Sequence, residues 1–93
     1  MKSNHVRWRL VEQFLCRADG GTASVRIIEE CLPLVKVRGF KGARRVVAET
    51  ATGCLIRDVA GLTAAESREE AFRILIEMQD RGYVIHGFGF SHQ

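Results

Sequence analysis

The stretch GLTAAESREEAFRILIEMQDRG, residues 61–82, commits part of this 93-residue chain to a single amphipathic helix. Thr63 and Glu66 stand at the spacing of a capping box, in which each side chain satisfies a backbone N–H that the first helical turn leaves unpaired. Ala71, Ile74, Leu75 and Met78 fall on one face, with Phe72 and Ile76 beside it. Glu69 with Arg73, and Glu77 with Arg81, are four apart in the favourable orientation. Each such pair is worth about 0.3–0.5 kcal/mol, so the charge run reads as a solvated helix face. Gly82 supplies a left-handed stop.

The remaining elements carry weaker signals. Over 5–17, Val6, Leu10, Val11, Phe14 and Leu15 recur at helical spacing behind a possible Asn4 cap, which predicts a first helix that ADGG ends. Trp8, between Arg7 and Arg9, sits at the edge of that apolar arc and reads as half-packed on the core. SVRII at 24–28 is β-rich and follows Gly-Gly-Thr, which predicts a strand, and YVIHGFGF predicts a last one.

A hydrophobic share of 46% against 27% charged residues excludes a disordered chain. No apolar run is long enough to cross a bilayer, and MKSNHVRWRL lacks the apolar core of a secretory signal, so the chain reads as cytoplasmic. Cys16, Cys31 and Cys54 are odd in number and far apart, which suits buried free thiols better than a disulfide framework or a zinc site. His5, His86 and His92 have no Cys or acid at ligand spacing, so neither a metal nor a cofactor is expected. The sequence holds no carboxylate pair, nucleophile-base arrangement or P-loop that would point to an enzyme.

Net charge is +3, but it is unevenly spread. From Cys31 to Ala48 there are five cations and no acid, whereas from Glu49 onward seven acids face four arginines. A segregated basic segment points to an anionic partner. Within it, 43–59 admits two readings. ARRVVAET and CLIRDV can be strands joined at ATG, or Ala43, Val46, Val47, Thr50 and Ala51 can share one face of a helix over 43–51. The helical template fits better, because in the strand reading apolar residues fall on both faces.

With that helix, SVRIIEECLPLVKVRGFKGARRVVAETATGCLI presents an apolar strand, a short helix over about 31–38, a G-x-x-G loop, a Thr-Gly and an Ile three residues later. This third of the chain resembles the KH domain. The resemblance implies an α+β fold: a single small domain, 1–93, with a short sheet packed against about three helices. It also implies that Gly39, Phe40, Lys41 and Gly42 clamp the backbone of single-stranded RNA or DNA. The chemistry stands without the family: glycines let main chain approach a phosphate, a helix N-terminus offers free N–H groups, and Lys36, Arg38, Lys41, Arg44 and Arg45 add charge. Phe40 can stack on a base or enter the core.

Two other readings compete. TGCLIRDVAGL, SREEA and RGYVIH are similar to the DEP domain, a winged-helix module that docks signalling proteins, although Val59 stands where that family has Trp. Alternatively the chain is a small protein-binding inhibitor or adaptor, such as phage-encoded inhibitors of the anti-CRISPR type. The acidic helix bearing Glu66, Glu69, Glu70, Glu77 and Asp80 would then meet a basic groove on a protein target.

Overall fold

The computed structural model describes residues 7–31 and 42–90, the side chains of 88–90 excepted. Five strands and one helix follow in the order β1 (Arg7–Ala18), β2 (Gly21–Cys31), β3 (Arg44–Thr50), β4 (Leu55–Leu62), α1 (Ala64–Asp80) and β5 (Val84–Phe90). All neighbours pair antiparallel in one sheet, ordered β4-β3-β2-β1-β5. The expected KH-like α+β arrangement, a short sheet against about three helices, is therefore corrected: among the described residues one helix lies on one face of a five-stranded sheet.

Two predicted helices are strands, and in each the period-two alternation that marks a strand is lost. β1 replaces the helix expected over 5–17. Leu10 pairs with Ile28 but Glu12 with Ile27, so Val11 is an extra, bulged residue. The bulge breaks the two-residue alternation, and the apolar set at 10, 11, 14 and 15 then imitates a helical arc. β3 likewise replaces the helix expected over 43–51, and the hairpin reading is the one that forms. Val46 and Ala48 are fully buried toward α1, while Val47 is half-buried on the other face. An inner strand with apolar residues on both sides loses its period-two signature. The turn after β3 is closed by Gly53 N–H donating to the Thr50 carbonyl at 2.9 Å, with Gly53 at φ 89°. In the other hairpin, ADGG supplies the turn between β1 and β2 rather than a helix stop. Cys31 ends β2, and the rest of the short helix expected over about 31–38 lies outside the described residues.

The strands expected at 24–28, at Leu55 and Ile56 and in YVIHGFGF all form, within β2, β4 and β5. The helix forms as its cap dictates. Glu66 N–H donates to Thr63 Oγ1 at 3.1 Å, and Thr63 N–H donates to Glu66 Oε1 at 2.9 Å. Gly82, at φ 97°, ends it. α1 leaves β4 at one edge of the sheet, passes over β2 and β3, and hands the chain to β5 at the opposite edge. Its Ala71, Ile74, Leu75 and Met78 bury against Phe14, Cys16, Val25, Ile27, Val46 and Ala48, which form the core. Burial pushes the Cys16 thiol up. Cys31 is half-buried and Cys54 exposed, so the expectation of buried thiols holds for Cys16 alone.

The charge run on α1 is only partly a solvated face. Glu77 accepts from Arg57 of β4 at 2.7 Å, and Glu70 lies 3.6 Å from the same guanidinium. Arg73 pairs with Glu70 at 2.6 Å rather than with Glu69.

Candidate functional site

Of the residues expected to form a phosphate clamp, Lys36, Arg38, Gly39, Phe40 and Lys41 lie outside the described residues. Gly42 presses on β2: a Cβ there would overlap the carbonyl oxygen of Glu30, and the Glu30 N–H donates to the Ala43 carbonyl at 2.9 Å. The close approach that requires glycine at 42 is thus to the protein's own backbone. Arg44 and Arg45, expected at a helix start, stand on β3, where alternation sends them to opposite faces. Arg44 Nε lies 3.3 Å from Glu29, which also accepts from Arg9 at 2.7 and 3.0 Å. Burial pushes the Glu29 carboxyl up, but hydrogen bonds and charge from Arg9 and Arg44 outweigh it and hold the group below the usual carboxylate range.

Arg45 lies on the face turned away from α1. It grips Asp58 of β4 through two bonds of 2.6 Å, which depress the Asp58 carboxyl, and its guanidinium carbon sits 5.6 Å from the Trp8 ring centre. On the same face Arg26 bonds Glu49. Arg44 and Arg45, which sequence reasoning assigns to an anion, are thus engaged by carboxylates brought across the sheet. A bidentate guanidinium has its donors directed at its own partner, which leaves few for a phosphate.

The opposite situation holds between α1 and β5. Because α1 lies over β2 and β3, the corner of the sheet formed by β1 and β5 is left partly uncovered. A groove of about 430 Å³ opens there, with Phe14 and Ile85 on its floor and Phe72, Leu75 and Ile76 along the helix wall. Phe72 and Ile76 remain 53% and 59% exposed, and Ile85 of β5 is 36% exposed. The Phe14 and Phe72 rings meet at 6.2 Å with a tilt of 58°. Among the described residues β5 pairs with β1 alone, and there its outer edge offers unpaired main-chain groups next to this apolar surface.

Sequence reasoning passed over this region, although a signal was present. Phe72 and Ile76 widen the apolar arc of α1 beyond the four residues that its own sheet covers. Among the described residues no three His, Cys, Asp or Glu side chains gather as metal ligands, and no helix is long and apolar enough to cross a membrane. Comparison with protein-family models, with curated proteins and with solved structures gives no match, so the geometry of these residues is what a functional reading has to rest on.

Proposed function

We propose that this chain is a non-enzymatic interaction module that receives a protein partner along the groove between α1 and β5. The observation that carries the reading is the clustering of Phe72, Ile76 and Ile85, which are 53%, 59% and 36% exposed, along one groove beside the β5 edge. Large apolar side chains scattered singly over a surface are ordinary, but a contiguous set lining a groove marks a contact surface. An open edge adds main-chain donors and acceptors to which an extended segment can bind as an extra strand. Among readings of the sequence, the protein-binding inhibitor or adaptor fits this arrangement better than a nucleic-acid clamp, because Arg44 and Arg45 are already paired. The contact face is then the apolar flank of α1 rather than its acidic residues, two of which hold Arg57.

Selection of peptides from a displayed random library on the immobilised protein tests the reading. Enriched peptides should carry closely spaced apolar residues, and Ile76→Asp, at an exposed position, should weaken their binding at least about tenfold. A library that yields nothing, together with binding of a dT oligonucleotide at low salt that Arg44→Ala and Arg45→Ala abolish, would return the chain to the nucleic-acid class.

A further inference from the structure

The groove holds one group that apolar contact does not explain. Glu12 lines it, on β1 beside Phe14, paired in register with Ile27 of β2 and Phe90 of β5. The residue is only 9% exposed. Among the described residues its carboxylate takes part in no hydrogen bond or ion pair. A carboxylate held among apolar side chains without a counter-charge is costly, and an apolar residue of similar size would fill the place without that cost. The arginines nearby in sequence are spent elsewhere, Arg9 on Glu29 and Arg26 on Glu49.

We propose, building on the reading of the groove as a docking surface, that its occupant is a protein segment carrying a Lys or Arg side chain among apolar residues. The cation meets the Glu12 carboxylate inside the groove while the flanking apolar residues lie on Phe72, Ile76 and Ile85. Charge complementarity sets the choice: among the described residues Glu12 is the single charged residue of the lining, and Gln79 is its only other polar side chain. A charge-assisted bond in a place largely shielded from water is strong enough to set specificity.

Two probes of equal length, n-pentylammonium and n-pentanol, separate the charge from the apolar stem. Each is titrated into the whole chain while the methyl signals of Ile76 and Ile85 are followed by NMR. Pentylammonium should bind about tenfold more tightly than pentanol. Glu12→Gln should bring that ratio to about one and leave pentanol binding as it was, whereas Ile76→Ser should weaken both probes alike. Equal affinity of the two probes for the unaltered protein overturns the Glu12 pairing and leaves the groove as an apolar docking surface. If neither probe moves the two methyl signals, the docking surface fails and the pairing with it. The comparison of probes on the unaltered chain decides the matter even if Glu12→Gln does not fold.

Discussion

Seen from α1, the sheet has a closed side and an open one. Toward β4 the helix is fastened by Arg57, which reaches both Glu70 and Glu77 across the gap. β4 itself is an edge strand, but two register shifts interrupt its pairing with β3, and it places Arg57 and Asp58 in mid-strand. Bulges and charges of this kind keep an edge from recruiting another strand. Toward β5 the helix offers Phe72 and Ile76, with no ion pair between the two elements among the described residues, and His86 is the one titratable residue on the strand. β5 has one register shift of its own, at His86, so the two edges differ in charge rather than in bulging, and the edge without an Arg or acid is the one beside exposed apolar surface. On the proposed reading, the β5 side is where a partner docks.

Substitutions two residues apart on α1 sharpen that contrast most. Ile74 is buried over the sheet, so Ile74→Ala should cost about 2–5 kcal/mol in urea denaturation. Ile76 faces the groove, and Ile76→Ala should change stability by no more than about 0.5 kcal/mol while weakening partner binding. Equal stability losses at the two positions would erase the distinction between core and docking wall. Next in size is the cap from which both sides of the helix hang: Thr63→Ala removes the bond to Glu66 N–H and should cost about 1 kcal/mol by thermal denaturation.

The clasp on the closed side is weaker. Arg57 and Glu77 are both substantially exposed, and solvent screens such pairs, so a double-mutant cycle between them should give a coupling of about 0.2–1 kcal/mol. Zero coupling would mean that β4 needs no such fastening. Smallest is the pH effect of the carboxylates that occupy arginines. Asp58 and Glu29 titrate lower in the folded chain than in the unfolded one. The stability they contribute is therefore complete above their ordinary values of 3.8 and 4.5 and is lost as pH falls through the folded ones. Asp58→Asn should flatten the acid-side decline of denaturation midpoint with pH, and an unchanged slope would show that its bonds to Arg45 are not maintained in solution.

How much of this could be read from the chain itself depended on whether an element obeys one period. α1 was legible in full, since a capping box, an apolar stripe and a terminal glycine all agree. β2, β4 and β5 were legible as short β-rich runs between glycines, though not in their full length or pairing. β1 and β3 were not, because both faces of each hold apolar residues and the Val11 bulge shifts one of them out of register. The basic segment misled for a related reason. Arg44 and Arg45 look unopposed until strand pairing brings Glu29 and Asp58 beside them, and local spacing cannot reveal that. The groove was half legible: Phe72 and Ile76 were visible as surplus apolar residues, while Glu12 acquires its meaning only when sheet pairing sets β1 beside the flank of α1.

The central claim, that the open side of α1 is the working surface, is tested most directly by mapping backbone amide shifts when the strongest library-selected peptide is added to the whole chain. The account predicts shifts concentrated at Phe72, Ile76 and Val84 to Gly87, with Leu55 to Leu62 unmoved. Shifts centred on β4, or on the Trp8 and Arg45 face of the sheet, would contradict it.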